Sequence, residues 1–114
     1  MGAMVRRIRR IEIYLPLEFN DGRTIPGSYF VALQRGLLKR YGGVTSIQRD
    51  FPLEGIWQSG KDVYQDRVIV FSVMDFREDS EAACLAYLNR LKGRLKKTFN
   101  QLEVLITVAD LLAI

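Results

Sequence analysis

The 114-residue sequence contains no histidine, one cysteine, three prolines and one tryptophan. Without histidine, the chain lacks the side chain that most often serves as general acid, general base or metal ligand near neutral pH. With Cys84 as the single thiol, an internal disulfide is excluded, and so is a zinc site of the Cys/His kind. A hard-cation site built from carboxylates stays open, but no residue pattern calls for a cofactor. There is no G-x-x-x-x-G-K-[ST], G-x-G-x-x-G or G-x-S-x-G motif. No apolar run approaches the roughly 20 residues of a membrane span. The N-terminal arginines are not followed by the apolar stretch of roughly 7–15 residues that a secretory signal needs. Together with the lone thiol, this fits a cytoplasmic protein.

What is present is ordinary globular composition, 48% hydrophobic and 26% charged, which suits one domain with a two-layer core. Met1-Gly2-Ala3 reads as a cloning remnant ahead of Met4, so residues 4–114 are taken as the domain. The net charge of +4 is unevenly placed. Arg6, Arg7, Arg9 and Arg10 crowd the start, and Arg90, Lys92, Arg94, Lys96 and Lys97 crowd a later segment. Such clusters attract phosphates; equally, cations near a helix C-terminus oppose the negative end of its macrodipole.

Hydropathy periods divide the chain into elements. Ile11, Ile13, Leu15 and Leu17 alternate with polar or proline neighbours, the period of a strand with one buried face. From Pro26 onward Phe30, Leu33, Leu37, Leu38 and Tyr41 recur at helical spacing, and Gly42-Gly43 ends that helix. Val44 to Gln48 is β-branched and reads as a short strand, and Asp50 to Gly60 reads as irregular. Val63 to Met74 reads as the strongest strand, apolar at both parities in its centre. Ser80 to Phe99 carries Leu85, Leu88, Leu91, Leu95 and Phe99 on a helical stripe, with Asp79 or Ser80 as cap and Gly93 as an interior irregularity. Leu102, Val104, Ile106 and Val108 alternate as a last strand, followed by an apolar tail from Leu111 to Ile114. The order β-α-β-β-α-β is that of an α+β ferredoxin-like sandwich, a four-stranded antiparallel sheet with two helices on one face.

Such a sheet leaves one face open. With Ile11, Ile13, Leu15, Ile69, Phe71 and Val73 turned to the helices, Glu12, Tyr14, Tyr64, Asp66, Val68, Val70, Leu105 and Thr107 are expected on the other side. A patch that apolar invites a partner. Three occupants fit: a second copy packed sheet to sheet, the chain's own loops or tail, or nucleic-acid bases stacked on Tyr14 and Tyr64. The segment "YQDRVIVFSV" lacks the glycine-aromatic pattern of RNA-recognition strands.

Few residues suggest chemistry. Cys84 lies on the apolar stripe of the second helix and reads as a buried structural thiol. Glu12 and Asp66 share a sheet-face parity, so they form a carboxylate pair or take Arg10 and Arg67 as partners. Trp57, in "GIWQSG", either anchors the connection between strands or walls a pocket. Asn20-Asp21-Gly22 is strong turn chemistry, and with Arg23 and the helix start beyond it the loop has the parts of an anion cradle.

The stretches "IYLPLEFNDGR", "RYGGVT", "EGIWQSG", "VYQDRVIVFSV" and "FNQLEVLI" resemble a group of small bacterial proteins of unknown function and about this length. A second bacterial family of unknown function, with a phenylalanine- and glutamine-rich final strand, is similar at a greater distance. The resemblance covers the chain from Ile11 onward and implies no activity, cofactor or partner.

The expectation is therefore a small cytoplasmic binding or regulatory module, homodimeric through its open sheet face. Its ligand site is expected to comprise Asn20, Asp21, Arg23, Trp57, Tyr64 and Asp66. Two alternatives stand beside it. One is an enzyme acting on an anionic or phosphorylated compound, with Asp21 or Asp66 as acid or base and Arg23 holding the anion. The other is a nucleic-acid-associated protein using the basic end of the second helix. Whether any reaction is catalysed is left open.

Overall fold

A computed structural model of the chain describes residues 5–49, 56–59, 62–65, 67–76 and 79–114, with backbone alone at 48, 49, 56–59 and 62–65. The elements are β1 (Arg6–Pro16), α1 (Gly27–Tyr41), β2 (Thr45–Arg49), β3 (Ile56–Ser59), β4 (Asp62–Gln65), β5 (Val68–Asp75), α2 (Glu81–Thr98) and β6 (Leu105–Ala113). Four strands form one antiparallel sheet in the order β2-β5-β1-β6, and β3 pairs with β4 as a separate two-stranded ribbon. This is the ferredoxin-like sandwich expected from the periodicity, with a hairpin inserted between its second and third sheet strands.

The core follows from the alternation. Odd positions of β1 (Ile11, Ile13, Leu15) and β5 (Phe71, Val73) turn toward the helices and are almost fully buried. Leu33 and Leu37 from α1 and Cys84, Leu88, Leu91 and Leu95 from α2 close over them. Each such aliphatic or aromatic side chain stabilises the fold by about 1.5–3 kcal/mol relative to exposure. Phe99 and Tyr29 meet edge to face at 5.7 Å, and Phe30 bridges Phe99 (5.3 Å) to Phe71 (6.4 Å), so aromatic rings join α1 and the end of α2 to β5.

Helix ends are set by local chemistry. Ser80 caps α2 by accepting the Ala83 N–H at 3.1 Å. Gly42 closes α1 at φ +82°, a left-handed conformation in which its N–H reaches the Leu38 carbonyl. Within the chain, a Cβ built on Gly93 meets no described atom within 4 Å, so packing does not explain this helical glycine.

Three sequence expectations are corrected. Val63 to Met74 is not one strand: β4 ends at Gln65 and pairs with β3, and β5 starts at Val68. The register runs from Ile56↔Gln65 to Ser59↔Asp62, so β3 and β4 pair antiparallel along their whole length. Part of the supposedly irregular 50–60 segment is therefore β3. The last strand starts at Leu105 rather than Leu102, and Leu111 to Ala113 continue it instead of forming a tail. They do so because β1 runs back to Arg6 and offers backbone partners as far as Arg6↔Ala113. No described helix is long and apolar enough to cross a membrane.

Candidate ligand-binding site

The β1–α1 loop satisfies itself. Its backbone turns back at Gly22, whose φ of +89° lets its N–H reach the Phe19 carbonyl at 2.9 Å. The Phe19 N–H donates to the Arg23 carbonyl at 2.7 Å, and Glu18 bridges Thr24. Asp21 accepts the Arg23 N–H at 3.0 Å and the Arg23 Nε–H at 2.6 Å. These bonds, the backbone one foremost, hold the Asp21 carboxyl below the usual carboxylate range. The Arg23 guanidinium lies 5.0 Å from the Phe19 ring centroid. Of the donors expected for an anion, the Gly22 and Arg23 backbone N–H groups and the Arg23 Nε–H are thus engaged within the loop, and the Asp21 carboxylate stands beside them.

The loop and the hairpin leave the same end of the sheet. The Leu17 N–H donates to the Arg67 carbonyl at 3.0 Å, and Arg67 Nη1 meets Glu18 Oε1 at 3.3 Å. Backbone pairing sets Trp57 directly opposite Tyr64 across β3 and β4. Asp66 lies outside the described residues. Asn20 is exposed at the turn. Of the expected site residues, then, Asn20, Asp21 and Arg23 share one turn, and Trp57 and Tyr64 share one register position. Tyr64, expected on the open face of the main sheet, belongs to the separate ribbon.

A different group converges on the open face. Glu12 occupies the middle of the central strand, with Ser72 of β5 opposite it on one side and Thr107 of β6 on the other. Tyr14 donates its hydroxyl to Glu12 Oε1 at 3.2 Å, and Arg10 Nε lies 3.8 Å from the same oxygen. A carboxylate flanked by hydroxyls thus crosses three strands in one row. Around it the same face is apolar: Ile8 and Val70 are buried, Met74 and Leu105 exposed. An open hollow of about 340 Å³ adjoins the row at Ser72, walled by Met74, Phe76 and the Tyr41–Thr45 turn. Its size falls within the ordinary range for small-molecule sites. The sequence places Glu12, Tyr14 and Thr107 on this face, and Ser72 follows from the same alternation as Val68 and Val70; only the β1–β5 register sets Ser72 opposite Glu12. A carboxylate in such a setting can accept hydrogen bonds from a ligand's hydroxyl or amino groups.

A second polar group holds the opposite end of the helix-side face. Arg9 Nη1 reaches Asp79 Oδ1 at 2.8 Å and Asp75 Oδ2 at 3.4 Å, and Arg9 Nη2 donates to the Asp79 carbonyl at 2.7 Å. Asp75 is buried. The hydrogen bond to Asp79 foremost keeps Arg9 firmly protonated. Burial pushes the neighbouring Cys84 thiol up, away from the reactive thiolate. This cluster ties β1, β5 and the α2 start together. Its sequence signal is parity: Arg9 and Asp75 occupy the inward positions of otherwise apolar series. Among the described residues, no three His, Cys, Asp or Glu side chains gather as a cation site requires.

Fold and sheet geometry define a ferredoxin-like protein whose second, partly polar sheet face no described helix covers. Comparison with solved structures gives a phage SAM lyase in complex with S-methyl-5'-thioadenosine, similar at a TM-score of 0.62 over 93% of this chain and 90% of that one. At 16% identity this is a likeness of fold. No family model and no curated protein matches the sequence.

Proposed function

We propose that this chain is a small cytoplasmic ligand-binding module that pairs with a second copy through its open sheet face and holds a nucleoside bearing an apolar thioether. The observation that carries this reading is the Ser72–Glu12–Thr107 row within an otherwise apolar face. A nucleoside needs both parts. Its ribose hydroxyls donate to a carboxylate, while its base and thioether take apolar walls such as Met74 and Phe76 beside the hollow. The ligand class is suggested by the S-methyl-5'-thioadenosine bound to the structurally similar lyase; shared fold alone does not carry function, so the row is the ground and the neighbour the guide. A second copy would cover the exposed Leu105 and Met74.

Isothermal titration calorimetry with S-methyl-5'-thioadenosine tests the ligand. Binding should be saturable, and Glu12→Gln should weaken it about tenfold, in line with the about 1.5–3 kcal/mol of a hydrogen bond to a charged group. Absence of binding, or equal binding by Glu12→Gln, overturns the assignment. The anionic-substrate alternative is less favoured because Arg23 is engaged by Asp21 at 2.6 Å.

A further inference from the structure

The helices carry a charge imbalance that the chain as a whole conceals. Together α1 and α2 hold eight Lys or Arg residues and a single acid, Glu81, a net +7 against +4 for the full sequence. The remainder is therefore net negative, and the positive charge is concentrated in one layer.

Within that layer the cations line up. On α2, Arg90, Arg94 and Lys97 follow at i, i+4 and i+7, and all three are exposed. They span roughly 10 Å along the helix at about 1.5 Å per residue. On α1, Arg35 and Lys39 are exposed at i and i+4. Tyr29 packs on Phe99 at one end and Tyr41 on Tyr87 at the other, so the helices run antiparallel and both stripes belong to one layer. Of the other cations, Lys92 is paired with Glu103 at 2.8 Å and Arg40 is stacked over Tyr87 at 3.5 Å.

The glycines supply a separate observation. Gly93 sits exposed among the α2 cations, and Gly36 lines the groove between the helices, which also takes in Arg94. At each, an added Cβ meets no described atom within 4 Å. A mid-helix glycine is less favourable than alanine, yet no described contact requires either one. Both leave helix backbone open to close approach from outside the chain.

We infer that the outer face of the helix layer docks on the phosphate backbone of a nucleic acid, without sequence readout. Regularly spaced cations on a rigid helix match a regular phosphate array, and three of the five are arginines, whose planar forks hold phosphate oxygens in pairs. A bilayer would need a broad apolar face beside the cations; on α2, Leu88, Leu91 and Leu95 are buried in the core, and the exposed Val31, Leu38 and Leu85 are what the vesicle arm below checks. This surface is opposite the open sheet face, so the inference stands apart from the nucleoside reading.

Fluorescence anisotropy with a labelled duplex DNA of roughly 20 base pairs and with a single-stranded RNA tests it at about 50 and about 200 mM salt. Anionic phosphatidylserine vesicles form a separate arm. The protein should bind nucleic acid at the lower salt and lose most affinity at the higher. Arg90→Gln/Arg94→Gln/Lys97→Gln should weaken duplex binding at least about tenfold and lower the log–log salt slope by about 3, one contact per cation removed. Gly93→Glu keeps every cation and should weaken binding as well, which carries the test if the triple variant fails to fold. Arg7→Gln, on β1, should change affinity less than about twofold. No binding to either nucleic acid at about 50 mM salt, undiminished binding by the folded variants, or binding to vesicles in preference overturns the inference.

Discussion

Arg9 shows how much one side chain decides in a domain this small. It occupies an inward position of β1 where an aliphatic residue is the rule, and it is accommodated because Asp75 and Asp79 stand 3.4 and 2.8 Å away. Removing one partner of a buried ion pair costs about 3–5 kcal/mol, more than the pair itself contributes. Arg9→Ala should therefore lower stability by about 3 kcal/mol in urea unfolding, near the low end because the Arg9 side chain is 18% exposed. Asp21 behaves differently. Its carboxyl is lowered by bonds to Arg23, so the contribution is present above the ordinary carboxylate pKa and is lost as pH falls through the depressed one. In an NMR titration, Arg23→Ala should move the Asp21 midpoint upward, with little change in global stability because the pair is exposed. Tyr41 titrates the other way. Burial pushes its phenol from 10.0 up to about 12, so the unfolded state ionises first and stability falls as pH rises through that interval. The difference in phenolate absorbance between the native protein and Tyr41→Phe should have its midpoint at about 12.

At the scale of elements, caps and register matter more than propensity. Ser80→Ala removes the hydroxyl that accepts the Ala83 N–H and should cost about 1 kcal/mol in thermal or urea unfolding. Both helices were legible in the sequence because their apolar stripes and terminators agree: Leu33 and Leu37 before Gly42, Leu88 to Leu95 behind Ser80. The strands were less so. The run from Val63 to Met74 is rich in β-formers on either side of Gln65-Asp66-Arg67, and that polar break, where β4 gives way to β5, does not by itself say that the two halves take different partners, β3 and β1. Likewise β6 gains Leu111 to Ala113 only because β1 extends to meet them.

The whole molecule is asymmetric: one sheet face lies under the helices and the other does not. Leu105 is 47% and Met74 41% exposed on that second face. Leu105→Lys/Met74→Lys changes two accessible positions and should leave the monomer folded, while light scattering across a concentration series should show the unsubstituted chain as the proposed dimer and the variant as a monomer. A chain that is monomeric at high concentration before any substitution would sink the paired arrangement. The expected loop site was only partly legible for a related reason. Turn chemistry correctly marks Asn20-Asp21-Gly22, but the same chemistry turns Asp21 and Arg23 toward each other. The Ser72–Glu12–Thr107 row could not be drawn at all before its strands were set side by side.

The sequence by itself determined what short-range repetition can encode. Period two fixes which residues of β1 and β5 turn inward, period 3.6 fixes the buried stripes of α1 and α2, and glycine and serine mark their ends. Tertiary structure alone decided which distant groups meet. Arg9 with Asp75, Glu12 with Ser72 and Thr107, and Tyr41 of α1 with Tyr87 of α2 are separated by dozens of residues. Such meetings depend on strand register and helix orientation, which are set by the packing of the core as a whole.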